Sequence, residues 1–237
     1  MDNSAYVALS RQVALMRDMT VIATNVANIG TTAFRAGHTL FEPVLRESGG
    51  RRPTALVQDV GTAWDMVPGP LTATGNPLDV ALDGDGWLAF GTADGVRYSR
   101  AGHLEIAADG SLVDAAGNPL LDDGGSPIVV PPGDRALTVA PDGTLSNGTG
   151  PLGRVGIAAF AGQGGLVPEG GGMWRAEAPP LPGTARIVQG MLEGSNVQPV
   201  LEMTRLIETT RAFEGTQRLL ETRHELGRKT VERVLAA

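Results

Sequence analysis

Cysteine is absent from this chain of 237 residues, which excludes disulfides, thiolate nucleophiles and cysteine-based metal sites. Aromatic residues make up only 4% of it, whereas 33 glycines and 16 prolines are present, so an aliphatic core interrupted by many turns is expected. The net charge of −7 provides no basic surface for phosphate backbones, and we therefore expect no nucleic-acid partner.

A membrane span and a secretory signal are also missing. No stretch of the sequence approaches the roughly 20 apolar residues that a membrane-spanning helix needs. The N-terminal apolar segment is interrupted by Arg11, Arg17 and Asp18, unlike the apolar run of a signal peptide. We therefore expect no membrane insertion, and we expect that any export from the cytoplasm proceeds without a cleaved signal peptide.

Residues typical of catalysis form no recognisable group. His38, His103 and His224 are far apart in the sequence, with no spacing typical of metal ligands. The chain has neither a Gly-x-Ser-x-Gly nucleophile elbow nor a Gly-x4-Gly-Lys phosphate loop. A pair of carboxylates could still serve a hydrolase, although nothing singles two of them out. We therefore predict no enzyme, with no catalytic, metal-binding or cofactor-binding residues.

The two ends of the chain have helical apolar periodicity. Near the N-terminus a stripe recurs at alternating steps of three and four residues, which is typical of a coiled-coil seam. A second stripe lies beside it, so this helix can contact more than one neighbour. The first stripe consists of Tyr6, Leu9, Val13, Met16, Thr20, Ala23 and Ala27, and the second of Leu15, Met19, Ile22 and Val26.

The C-terminal segment repeats this pattern after Pro199, which suits a first helical turn. Its apolar stripe recurs at heptad spacing in Leu206, Phe213 and Leu220, and Met203 and Ile207 lie beside it. Together with the first helix it predicts an assembly interface made of Leu9, Val13, Met16, Met203, Leu206, Ile207, Phe213 and Leu220.

The interior has the features of a β-structure. Short apolar runs alternate with Asp-Gly pairs, and residues 109–112 and 142–145 look like one hairpin signature used twice. The sequence thus predicts an α+β fold, in which long, coiled-coil-like N- and C-terminal helices flank a central antiparallel all-β domain. In this prediction residues 1–45, a helix and its exit segment, pair with the C-terminal helix at 190–237. Residues 46–69 are a linker or extended segment, and residues 70–189 are the β-rich domain.

Three ordered motifs resemble those of bacterial flagellar rod and hook proteins. Residues 25–34 are similar to the family's Ala-Asn-x-x-Thr-Thr-Gly-Phe signature, and residues 193–214 to its C-terminal signature. Residues 75–102 are similar to the domain that follows its first helix. The resemblance assigns family-motif roles to Asn25, Ala27, Asn28, Thr31, Thr32, Phe34, Ser195, Asn196, Val197 and Glu202. Ala33 stands where the family usually has Gly, which disfavours a positive φ there.

The resemblance implies a structural subunit of the flagellar basal-body rod. Its opening residues look most like the proximal-rod members, and a distal-rod or hook-type axial paralogue is the alternative. Such a subunit self-assembles through its terminal helices and transmits torque in flagellum-dependent motility. Its partners are copies of itself, other proximal and distal rod proteins and the flagellar export apparatus. Its location is the rod that spans the periplasm, after synthesis in the cytoplasm and export without a cleaved signal peptide.

A second class of protein stays open at this point. A β-domain hydrolase with helical dimerisation arms would have the same sequence of elements. A convergent pocket of carboxyl groups with perturbed pKa values would favour the hydrolase. A flat, polar β-domain beside two apolar helical ends would favour the rod subunit.

Overall fold

The computed structural model describes residues 3–48, 51–132, 137–160 and 165–235. The chain forms two compact units, one made of residues 1–29, 36–65 and 197–237, and the other of residues 30–35 and 66–196. We call these the helical unit and the β unit.

The helical unit contains two helices and one long hairpin. Helix α1 spans Asn3–Ala27 and helix α2 spans Pro199–Leu235, and strands β1 (Gly37–Ser48) and β2 (Arg51–Trp64) pair antiparallel between them in the sequence. Within the described residues, neither helix has an apolar stretch long enough to cross a membrane. Most of residues 46–69, which were predicted as a linker or extended segment, lie in this hairpin. The predicted domain bounds stay a prediction.

The β unit is built from short antiparallel strands around an aliphatic core. The strands are β3 (Leu71–Ala73), β4 (Val80–Asp83), β5 (Trp87–Thr92), β6 (Gly95–Ser99), β7 (Glu105–Ile106), β8 (Leu112–Val113), β9 (Thr138–Val139), β10 (Thr144–Asn147), β11 (Gly150–Arg154), β12 (Ile157–Ala159), β13 (Leu166–Gly170), β14 (Met173–Ala176), β15 (Leu181–Pro182), β16 (Arg186–Gln189) and β17 (Met191–Glu193). The fully buried core side chains include Leu82, Leu88, Phe90, Leu112, Leu120 and Leu145.

The largest sheet has six strands in the order β13-β14-β6-β5-β12-β15. Each of its two edge strands contains a proline, Pro168 in β13 and Pro182 in β15. Proline has no backbone N–H, so it cannot donate a hydrogen bond to an added strand. Both edges are therefore poor templates for pairing with another chain.

Two turns confirm that Asp-Gly pairs shape this unit. The N–H of Gly110 donates to the carbonyl of Ala107 and that of Gly143 to the carbonyl of Ala140, each at 2.9 Å. Both glycines have a positive φ, of 87° and 90°. The aspartate before each glycine accepts from the N–H and the hydroxyl of the residue after it, Ser111 or Thr144. The sequence signature therefore produces the same turn twice.

The predicted fold class, with long coiled-coil-like helices flanking a central all-β domain, is wrong. An antiparallel β core is present, but the helices do not flank it as a coiled-coil layer, because they form a unit with the hairpin β1–β2. The stripe predicted as the coiled-coil seam of α1 is exposed along its whole length, whereas Ile22 of the second stripe is buried. Periodicity identified both stripes but did not show which one faces inward.

Candidate assembly surface

An apolar stripe on α1 faces outward. Tyr6, Leu9, Val13 and Met16 are between 53% and 60% exposed, and we call these four residues the outer stripe. Thr20, Ala23 and Ala27 continue the same line and are also exposed. Large apolar side chains at this spacing on a free helix face are typical of a surface that another helix covers.

The opposite side of α1 contains polar and small side chains. Ala8, Ala14, Ile22 and Asn25 are buried and Asp18 is half-buried, and together they form what we call the inner face. The inner face contacts both α2 and the hairpin. An oxygen of the Asp18 carboxylate accepts from the hydroxyl of Thr209 on α2 at 3.1 Å, and the other accepts from the hydroxyl of Thr39 on β1.

Helix α2 buries a seam of polar residues at heptad spacing. Glu202, Thr209 and Thr216 are 3%, 8% and 8% exposed. Leu206, Phe213 and Leu220 are half-buried, whereas Met203 and Ile207 are more than half exposed. The predicted interface therefore divides into two sets. Leu9, Val13, Met16, Met203 and Ile207 are exposed, and Leu206, Phe213 and Leu220 line the inner side of α2. Their role in assembly stays a prediction.

Asn25 explains why the family motif needs an amide at this position. Its Oδ1 accepts from the N–H of Gly37 at 2.9 Å, while its Nδ2 donates to the Gly37 carbonyl at 2.8 Å and to Glu202 at 3.1 Å. One side chain thus ties α1 to the start of β1 and to the start of α2. Glu202, predicted from the second motif, is its partner across 177 residues of sequence. Because Asn25 meets Glu202 and Asp18 meets Thr209, the helices run antiparallel.

Other motif residues end α1. The Nδ2 of Asn28 donates to the Thr24 carbonyl at 2.8 Å, which satisfies one of the free carbonyls of the last helical turn. Ala27 and Thr31 are exposed, and Thr32 is half-buried.

In the β unit, the N-terminal motif (residues 25–34) and the C-terminal motif (residues 193–214) are joined by backbone hydrogen bonds. The N–H of Ala33 donates to the Glu193 carbonyl at 2.8 Å, and the N–H of Asn196 donates to the carbonyl of Phe34 at 3.2 Å. The Nδ2 of Asn196 donates to the Val67 carbonyl at 2.9 Å. Ser195 is buried and Phe34 is half-buried, while Val197, the first residue of the next segment of the helical unit, is also buried. Ala33 adopts a φ of 56°, so the positive φ that alanine was expected to disfavour is present at this position.

Sequence reasoning missed a buried ion cluster in the β unit. The Glu193 carboxylate is fully buried and lies 2.6 Å from Nη1 of Arg35 and 2.7 Å from Nε of Arg100. It also accepts from the N–H of Gly69 at 3.1 Å. Arg100 further donates to the carbonyls of Leu82, Gly84 and Gly86. Glu193 and Arg100 both lie inside the motif segments, which was the only signal for this cluster in the sequence.

Carboxyl groups of the β unit do not favour the hydrolase alternative. A groove of about 840 Å³ in this unit is lined by Asp122, Asp123 and Asp142, among other residues. The backbone N–H and the hydroxyl of Thr144 lower the pKa of Asp142, whereas a general acid requires a raised pKa. Within the described residues, no group of three potential metal-ligating side chains was found.

Two family models match this sequence. Residues 81–147 match the D1 domain of flagellar hook protein FlgE/F/G, and residues 188–233 match the C-terminal region of flagellar basal body rod FlgEFG protein. The class is therefore that of flagellar rod and hook proteins, which confirms the resemblance seen in the motifs.

Curated relatives narrow this class. The flagellar basal-body rod protein FlgF of Caulobacter vibrioides is 38% identical over 99% of this chain and 98% of its own length. FlgF of Mesorhizobium japonicum is 38% identical over 93% and 92%. FlgG of Agrobacterium fabrum is 31% identical over 90% and 92%. The chain belongs to the family of flagellar basal-body rod protein FlgF. It is a structural subunit of the rod in the flagellar basal body, where it associates with other rod or hook components.

Proposed function

We propose that the chain is a proximal-rod subunit that assembles through its terminal helices with copies of itself and with neighbouring rod proteins. The observation that carries this proposal is the outer stripe of α1, which is exposed while polar residues of the same helix are buried. Full burial of a large apolar side chain contributes about 1.5–3 kcal/mol, so covering four half-exposed ones contributes roughly 3–6 kcal/mol per copy. Head-to-tail contacts between unlike surfaces would extend such a chain into a helical tube.

The role that follows is mechanical and includes no catalysis. A tube of subunits joined by apolar helix contacts transmits torque from one end to the other, and flagellum-dependent motility requires this. Export through the flagellar export apparatus without a cleaved signal peptide is part of the proposal, because it is the route that the family resemblance implies. Secretion of the chain in strains with and without a working export apparatus tests that route.

Val13→Asp tests the assembly surface. Val13 is 60% exposed, so a charge there leaves the isolated chain folded, but it would be buried and unpaired beneath a neighbouring helix. We expect the variant to be exported, to be absent from purified rods and to abolish swimming. Gln217→Asp, which adds the same charge at an exposed polar position of α2, is the matched control and retains motility. Normal swimming of the Val13→Asp strain would refute the assignment of this surface.

A further inference from the structure

The inner face of α1 contacts two different elements through two residues. Asp18 bonds to Thr39 of β1 and Thr209 of α2, and Asn25 bonds to Gly37 of β1 and to Glu202 of α2. Asp18 and Asn25 are seven residues apart, so they lie on one side of the helix. Each residue therefore fixes α1 against both of its neighbours within the helical unit.

The outward position of the outer stripe needs an explanation. Burial of the outer stripe by itself favours a rotation of α1 about its axis that turns Tyr6, Leu9, Val13 and Met16 inward, although the same rotation would expose Ile22. Such a rotation would break the bonds of Asp18 and Asn25. It would also leave buried polar groups of β1 and α2 without their partners, which carries a large penalty.

We propose that Asp18 and Asn25 are positioning residues that fix the rotation of α1 and thereby keep the outer stripe available for assembly. The bonds of Asp18 are charge-assisted, and Asn25 bonds to the N–H and the carbonyl of Gly37 and to the Glu202 carboxylate, so both sets are directional in a way that apolar contacts are not. The consequence for rod assembly rests on the proposed function. The rotation itself is a property of the single chain and is tested on it.

Cysteine accessibility measures this rotation directly, because the chain has no cysteine of its own. Val13→Cys and Ala14→Cys place a reporter at adjacent positions, one 60% and the other 8% exposed. In the otherwise unchanged full-length chain, we expect maleimide to label Val13→Cys at least about tenfold faster than Ala14→Cys. Each reporter is then combined with substitutions at Asp18.

Asp18→Leu removes both bonds of the carboxylate and adds an apolar side chain. Loss of a hydrogen bond to a charged group shifts an equilibrium by roughly ten- to a hundredfold. We therefore expect labelling of Val13→Cys to slow by about tenfold while labelling of Ala14→Cys quickens. Asp18→Asn can still bond to both threonine hydroxyls and should restore the original rates. Thr20→Leu adds the same leucine on the exposed side and should change neither rate.

Thr209→Val provides a second, milder variant, because it keeps the side-chain size and removes only the hydroxyl that donates to Asp18. We expect the same changes as in Asp18→Leu, in the same directions and smaller. Unchanged labelling in both variants would overturn the proposal. Faster labelling at both positions would also overturn it, because it would show that Asp18 only stabilises the helix against local unfolding. Neither result would bear on whether the outer stripe is the assembly surface, which the Val13→Asp strain tests separately.

Discussion

Replacing Glu193 by glutamine tests whether the buried ion cluster holds the β unit together. The carboxylate is fully buried and carries the negative charge opposite two arginines that are themselves only 1% and 4% exposed. Glutamine has nearly the same shape, but its amide is neutral and its nitrogen cannot accept a hydrogen bond. The substitution therefore leaves two buried positive charges without a counter-ion.

The expected magnitude follows from this burial. Removing one partner of a buried ion pair typically costs about 3–5 kcal/mol, because the remaining charge stays uncompensated. Against a total stability of about 5–15 kcal/mol, this is between about a fifth and the whole of the stability of an ordinary domain. For a chain of this size, it corresponds to a fall in melting temperature of about 6–20 °C.

Urea denaturation followed by tryptophan fluorescence measures the effect. Trp87 and Trp174 lie in the β unit with ring centroids 5.6 Å apart, and Trp174 is 4% exposed, so their emission reports on this unit. The matched control is Glu177→Gln. That carboxylate is 57% exposed and 3.9 Å from Arg175, and an exposed pair contributes only about 0–1 kcal/mol.

A stability of Glu193→Gln within about 1 kcal/mol of the parent chain would refute this reasoning, because it would show that the arginines need no buried counter-charge. Salt provides a second check. Exposed pairs are screened at about 1 M salt, whereas a buried cluster is screened much less, so the difference between the two variants should persist there.

The remaining predictions concern backbone, helix and pH. Ala33 has a φ of 56°, so Ala33→Val should destabilise the chain by at least about 2 kcal/mol in chemical denaturation, whereas Ala33→Gly should stay within about 1 kcal/mol. Gly215 is exposed within α2 and an added Cβ would contact nothing within 4 Å, so Gly215→Ala should stabilise this helix by about 1 kcal/mol in thermal circular dichroism. A hydrogen bond from Arg97, more than any other cause, lowers the pKa of Glu169. The contribution of Glu169 to stability should therefore be complete above the ordinary pKa of glutamate and be lost as the pH falls through the lowered value, and Glu169→Gln should abolish this acid-dependent part of the denaturation midpoint.

Turns and helices could be predicted from the sequence wherever residues close together in the chain determine the backbone conformation. The Asp-Gly signature at residues 109–112 and 142–145 formed the same turn twice, because an aspartate, a glycine and a hydroxyl residue supply all its hydrogen bonds. The helices at both ends were predicted from apolar periodicity, together with Pro199 as the start of the second. The motif segments also gave the family, because their order and spacing are specific.

The sequence did not indicate which distant residue each buried polar side chain bonds to. Asp18 interrupts the apolar pattern of α1 and looks like a solvated residue, yet its partner Thr209 is 191 residues away in the chain. Without these long-range bonds, periodicity gave no reason to prefer one stripe of α1 over the other as the side that packs against α2 and the hairpin. The same limit hid the meeting of Arg35, Arg100 and Glu193, since no local pattern indicates that three charged residues share one buried site.

The prolines in the edge strands of the six-stranded sheet affect which surfaces of the subunit can associate with another copy. A subunit that must adhere to its neighbours is also at risk of adhering through the wrong surface, and open strands are the commonest wrong surface. With Pro168 and Pro182 in the two edge strands, the addition of further strands, which builds amyloid-like fibres, is discouraged at both edges. In the proposed assembly, growth then proceeds through the terminal helices, whose packing geometry limits it to a filament of defined shape.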